Sequence, residues 1–512
     1  MKLFTIGDSI SQGFMSGAAA RTDQSYSTLL ANILKVENYH FPAWPKGGHP
    51  LNLELLFRKL EKRLGPDISG LIEWPMAFSI ISAFLDEVED YYERGNGSHS
   101  ISPQEKFFNN VSVRGFDLAA SWMIKPSLCR DHIESSKNKG DNVLGMVDQS
   151  FLRTALTVLE AGAEKAGLKD PSQLDWLQHH HTNEGVENLI LFLGANNALG
   201  TVTSLYINQT SEDGSAFKDE NNKDIAPDKI SYQKRSGWNL WHPEDFKAEY
   251  NFMFNKVLKI MESNPAIDYK VFIPTVPLVT IVPLTKSVGG PEEREMVKAN
   301  EWRVKLGNPA PMGKAEFSKP EMHPYSYGKY YPYFLYAENF DIGMPHLNMM
   351  QTIHIDNTIR QYNKIIIETV ALANATLGKK RFYLVDISSC LSDMALKRNN
   401  YSPCYKYPSY FDFVYPRVDT RFYGTTRKGK VMAGGLFSLD GVHPTAIGQG
   451  LLAWEILKVM KQAGSFKGNP DHVIDWKALF ATDSLRSEPI SLMSELYDNM
   501  ELKKWVLKML VK

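Results

Sequence analysis

Three cysteines in 512 residues are too few, and odd in number, for a disulfide framework. Cys129, Cys390 and Cys404 are expected as free thiols, although Cys390 and Cys404 could pair, and this usage fits a reducing compartment. An excess of charge of one sign is lacking too. With 57 Lys and Arg against 58 Asp and Glu, the net charge is −1, so no global field recruits nucleic acid or an anionic membrane. Long apolar runs are also missing. The longest, residues 271–284, is broken by Pro274, Pro277 and Pro283 and is no spanning helix. The apolar stretch after Met1 reaches Gly7 and Asp8 too soon for the h-region of a signal peptide. The expectation is a soluble, cytoplasmic protein with no integral membrane segment and no nucleic-acid partner. The oligomeric state stays open.

What is present is ordinary globular composition, 43% hydrophobic and 22% charged, with enough apolar content for a large core. Short β-rich runs that end in Gly, Asn, Asp or Ser recur at residues 3–6, 111–113, 189–193, 269–273 and 382–385. Amphipathic stretches separate them, at residues 152–166, 246–261, 352–377 and 444–460. Apolar strands divided by helical crossovers read as a buried parallel sheet, an α/β sandwich. Residues 45–107, 208–241, 287–346 and 399–429 exceed what such a core needs and read as insertions, the first holding a helix at about 78–92. Residues 211–222 read as a mobile loop. The expected organisation is one enlarged domain over residues 1–470, with a helical extension over 471–512 packed on it, in which 492–510 form a final helix or helix pair.

Three short motifs carry chemistry. In Gly7-Asp8-Ser9-Ile10-Ser11-Gln12-Gly13 a strand runs into a tight turn that exposes a serine before a helix, at the edge where open α/β folds form their crevice. A plain glycine turn with a capping Asp or Ser would look the same. In Asp440-Gly441-Val442-His443-Pro444 an acid and a histidine three residues apart can supply a general base and its orienting carboxylate from one rigid segment. In Gly194-Ala195-Asn196-Asn197, after an apolar strand, an Asn amide can donate to a developing oxyanion. Gly115, behind the run at 111–113, is a candidate for a second donor, with an ordinary strand-ending turn as its alternative.

Ser9, Gly115, Asn196 and His443 stand in the order of the four blocks of the SGNH (GDSL-like) hydrolases, which the chain resembles. The first block resembles the family's Gly-Asp-Ser-x-x-x-Gly, with Ile10 where leucine is commoner. The last matches its Asp-x-x-His. The third departs from Gly-x-Asn-Asp by carrying Asn197, and the second is the loosest match. The resemblance implies a three-layer α/β/α sandwich with a parallel, flavodoxin-like central sheet, enlarged here by helical and loop insertions. It further implies Ser9 as nucleophile, His443 as base and Asp440 as its partner. The oxyanion hole would be the N–H groups of Ser9 and Gly115 with the Asn196 side chain. The rival α/β-hydrolase architecture needs Gly-x-Ser-x-Gly, and no serine of this chain has it.

The expected activity is hydrolysis of carboxylic esters through an acyl-enzyme, with no cofactor and no metal. The substrate expected is a lipid acyl ester or an O-acylated small molecule. Alternatives are an O-acetyl carbohydrate esterase or a non-catalytic binding protein that keeps the fold. His179-His180-His181 reads as a polar loop or helix end, since consecutive helical residues diverge and no further ligand has metal spacing. His354 and Asp356 read as surface or core-edge residues of a long helix. The tyrosine-rich stretches 325–340 and 401–423 read mainly as packing, with part of the second near the mouth of the site.

Overall fold

The computed structural model describes residues 2–492, apart from 67, 69, 99–106, 137–146, 289–328, 333–344, 396–402, 421–422 and 426–430. Four strands form a parallel sheet: β1 (Leu3–Gly7), β2 (Asn188–Phe192), β3 (Lys270–Pro274) and β4 (Phe382–Val385), adjacent in that order. All of β1 and β2 is buried, as expected for a sheet covered on both faces. A further segment lies beside β1. Thr5 N–H donates to Asn109 O (2.9 Å), and Val111 and Val113 N–H donate to Thr5 and Gly7 O (3.1 and 3.2 Å). It forms one parallel bridge, Thr5 to Asn110, rather than the full strand expected at 111–113.

Strand alternation shows that helices cover both faces. Phe4 points one way, with its ring 4.8 Å from His180 on a helix over Gln173–Asn183. On the same face Phe382, paired with Val271, meets Phe254 on a helix over Pro243–Glu262. Thr5 points the other way, to Ser27 on a helix over Tyr26–Ile33. That helix packs against the one over Ala446–Gln462. The buried apolar residues form a single cluster running from Leu3 to Leu492.

Local caps explain the helix ends. His242 caps the helix that starts at Pro243, and Thr445 caps the one that starts at Ala446, so Pro444 stands just outside it. The long helix runs over Met349–Leu377, between an Asn348 capping box and Gly378. The stretch read as helical over 152–166 instead folds as Ser150–Glu160, followed by turns. The first insertion holds two helices, Leu53–Leu64 and Gly70–Glu93. Residues 211–222 were expected to be mobile, yet the loop is anchored. The buried Asp245 carboxylate accepts from Thr210 Oγ1 (2.5 Å), Ser211 Oγ (2.6 Å) and Ala216 N–H (2.9 Å), because a buried charge must fill its lone pairs.

The histidine run ends a helix rather than entering a loop, and two of its rings are buried. His181 Nε2 lies 3.1 Å from Met261 O and its Nδ1 accepts from Val186 N–H (3.2 Å), while His180 faces Glu184. Asp356 is fully buried against Thr280 rather than at a core edge, and His354 bonds Gln209. None of the three cysteines forms a disulfide. In the stretch 401–423, Tyr405 lies edge-on to Trp454, and Phe411 contacts Trp476 and Phe480, so the insertion packs onto the body. Of 325–340, only a strand over Lys329–Pro332 is described, paired with Thr285–Val288. Of the C-terminal extension, short helices over Trp476–Thr482 and Ser484–Ser487 are described, while the helix expected over 492–510 lies outside the described residues save Leu492. Among the described residues no helix is long and apolar enough to cross a membrane.

Candidate active site

The turn after β1 carries Ser9 as the first residue of a four-residue helix, α1 (Ser9–Gln12), capped by Asp8 through Ile10 N–H to Asp8 Oδ1 (3.0 Å). Both motif glycines have steric reasons. A Cβ on Gly7 would sit 2.2 Å from Ser11 Oγ, and Gly13 closes α1 at φ 77°, a left-handed conformation that suits glycine. Three buried side-chain amides from distant segments hold the turn's carbonyls. Gln173 Nε2 donates to Gly7 O (3.0 Å), Gln449 Nε2 to Ile10 O (2.9 Å), and Asn110 Nδ2 to Ser11 O (2.8 Å). Tyr26 N–H fixes Gln449 in turn, at 2.9 Å from its Oε1.

The Asp440–His443 segment meets this turn from the other end of the chain. Asp440 Oδ2 lies 2.9 Å from His443 Nδ1 and also accepts Gly17 N–H (2.9 Å). Its Oδ1 accepts the N–H groups of Val442 (2.9 Å) and His443 (2.8 Å). Burial alone would push this carboxyl up. The His443 charge and hydrogen bond and the two backbone N–H groups outweigh it, so the group is held below its ordinary value. The short hairpin over residues 14–19 clamps the segment. Ser16 N–H donates to Ser438 Oγ (2.7 Å), and the Phe14 ring lies 4.6 Å from the His443 ring. Ser9 and His443 line one cavity, and no hydrogen bond joins Ser9 Oγ to His443 Nε2.

Asn196 opens a helix over Asn196–Ser204 directly after β2. Its Nδ2 donates to Phe116 O (2.9 Å) and to Asp8 Oδ2 (3.3 Å). Gly115 sits at φ 76° in a turn closed by Phe116 N–H to Val113 O (3.2 Å), and it shares a second, more polar hollow with Asn196, Asp117 and Trp238. Arg235 lines that hollow too and pairs with the fully buried Glu249 at 2.6 Å. Asn197, where the motif usually has Asp, accepts Leu118 N–H through Oδ1 (3.3 Å), while its buried Nδ2 has no partner among the described residues.

The structure therefore gathers Ser9, Asp440 and His443 at the C-terminal edge of the sheet, with Asn196 linked to them through Asp8 and Gly115 beside Asn196. Asp8 was read only as part of a motif. It is fully buried beside His443, and desolvation pushes its carboxyl up to about 7 against the pull of the Ile10 N–H and the His443 charge. Gly17, Ser438, Gln173 and Gln449 were not singled out at all. Among the described residues, no group of three or more His, Cys, Asp or Glu side chains could hold a metal ion. No family model matches the chain, and neither a curated protein nor a solved structure matches it significantly.

Proposed function

We propose that the chain is a serine ester hydrolase of the SGNH type, built on a three-layer α/β/α sandwich. Counting the segment at 109–113 as a second strand, the sheet runs 2-1-3-4-5 in chain order, the flavodoxin-like arrangement in which ligands bind at the C-terminal strand edge. The observation that carries the reading is the Asp440–His443 pair. Its carboxylate is kept ionised by four hydrogen bonds, and its imidazole faces the cavity that Ser9 lines.

On this reading His443 Nε2 removes the Ser9 proton as Oγ attacks the ester carbonyl. Asp440 holds the Nδ1–H tautomer and stabilises the imidazolium. Ser9 N–H, Gly115 N–H and Asn196 Nδ2 receive the oxyanion, which requires Asn196 to exchange one of its present acceptors for the substrate oxygen. His443 then protonates the leaving alcohol, and water resolves the acyl-enzyme by the same route.

A fluorophosphonate probe tests this, because it phosphonylates an activated serine without any knowledge of the substrate. Labelling of the intact protein and its loss in Ser9→Ala are expected. An intact, folded protein that takes no label would sink the hydrolase reading and favour a binding protein.

A further inference from the structure

The cavity that Ser9 and His443 line does not end at them. It continues as an apolar slot between two helices, α2 over Ile387–Met394 and α3 over Ala446–Gln462. From α3 it takes Gly448, Leu451 and Leu452, and from α2 Ile387, Cys390, Leu391 and Met394. Its far end is polar. Glu455 closes it, held by Tyr405 OH at 2.5 Å and by Lys458 Nζ at 2.6 Å.

Resting on the hydrolase reading, we infer that this slot takes the acyl half of the substrate, and that the acyl group is a saturated chain of medium length. A chain esterified to Ser9 has to leave the serine through the cavity that contains it, and the walls there are mainly aliphatic, with the Cys390 thiol, bonded to Glu455, as the polar group on the way to the far end. From Gly448 to Glu455 is seven residues of helix, so the lined stretch is about 10 Å long, room for roughly eight methylenes at about 1.25 Å each. Ile387 to Met394 on the opposite wall spans the same seven residues. Chains of about eight to twelve carbons fill it. Longer ones would press methylenes against the Glu455–Lys458 pair, which cannot be desolvated cheaply. The alcohol half then lies toward the polar hollow at Gly115, Asp117 and Trp238.

The test is a series of p-nitrophenyl esters from acetyl to palmitoyl, run below their aggregation concentrations. Each methylene that enters the slot should raise kcat/KM about threefold, giving at least a hundredfold rise from acetyl to a maximum near decanoyl and a fall beyond it. Leu451→Trp and Leu391→Trp fill the slot from opposite walls. Either should move the maximum to chains of two to four carbons. Decanoate should also bind to Ser9→Ala protein in calorimetry where acetate does not, a readout that needs neither turnover nor the tryptophan variants. A labelled, active protein whose kcat/KM is greatest for acetyl and falls with length, with no decanoate binding, overturns the slot and leaves the hydrolase reading standing. Absence of labelling and of all ester turnover overturns the hydrolase reading instead, while decanoate binding would still mark the slot.

Discussion

Asp440 and Asp8 are two buried carboxyl groups that flank the same imidazole, and their environments drive them in opposite directions. Asp440 collects four hydrogen bonds, from Gly17, Val442 and His443 N–H and from the His443 ring, and is held below its ordinary value. Among the described residues Asp8 takes hydrogen bonds from Ile10 N–H and from Asn196 Nδ2 at 3.3 Å, and burial lifts it to about 7. Both acids feel the His443 charge, and what separates them is that Asp440 also takes the His443 ring as a direct donor beside its backbone N–H groups, enough to outweigh burial, whereas at Asp8 burial wins. The comparison also separates the two halves of the proposed site. The base half is assembled by an ionised acid, whereas the oxyanion half has its Asn196 amide engaged with a carboxyl that titrates near neutrality.

The largest break in this comparison comes from Asp440→Asn. An amide at position 440 presents a donor where the carboxylate accepts from His443 Nδ1, which favours the wrong tautomer of the imidazole. On the proposed mechanism kcat should fall by about four orders of magnitude with little change in KM. Steady-state kinetics on a good ester check this, with circular dichroism to verify folding. A loss below tenfold in a folded protein would mean that Asp440 is not the orienting acid. Asn196→Ala acts on the other half. It removes one oxyanion donor, and kcat should drop by about a hundredfold to a thousandfold. Should KM rise instead with kcat intact, Asn196 binds substrate uniformly rather than the transition state.

The same contrast explains how much of the site could be read from residue order. Asp440 and His443 are three residues apart, and Gly7, Ser9 and Gly13 share one turn, so local geometry alone put each group in place. Caps are equally local: His242, with Pro243 after it, caps the helix over Pro243–Glu262 by a bond to the Glu244 N–H two residues on. The parts that decide electrostatics come from far away. Gln173 reaches Gly7 across 166 positions, Gln449 reaches Ile10 across 439, and the Gly17 N–H on Asp440 crosses 423. Nothing in a run of residues shows that a glutamine will be buried with its amide on a particular carbonyl. Nor does Gly-Asp-Ser reveal that its acid is fully desolvated, since that depends on packing around the turn from several separate segments. The sheet order was legible only as a class, because the segment at 109–113 makes a single bridge and its motif is the weakest of the four blocks.

Asp8→Asn is the smallest perturbation and the one that sharpens the comparison most. A carboxyl moved from 3.8 to about 7 on folding binds a proton more tightly in the native state than in the unfolded one. Between those two values the unfolded chain holds fewer protons, so the Asp8 contribution to stability declines as pH rises from about 4 and levels off above about 7. At pH 8 the intact protein therefore bears the cost of a buried, underbonded carboxylate, on the order of 4 kcal/mol at most. Asparagine keeps an oxygen for Ile10 N–H but cannot ionise. Any cost of setting its amide against Asn196 is independent of pH and cancels when two pH values are compared. Relative to the intact protein, Asp8→Asn should therefore be more stable at pH 8 than at pH 5, by about 1–3 kcal/mol in denaturant unfolding. The Asp440→Asn protein should show the reverse sign in a lower window, with no change between pH 8 and pH 5 and a deficit that shrinks as pH falls below about 4, because the acid it lacks is one that folding makes stronger. Equal differences at both pH values for Asp8→Asn would mean that its carboxyl finds further donors and titrates in the ordinary range, and the two acids would then not be opposites.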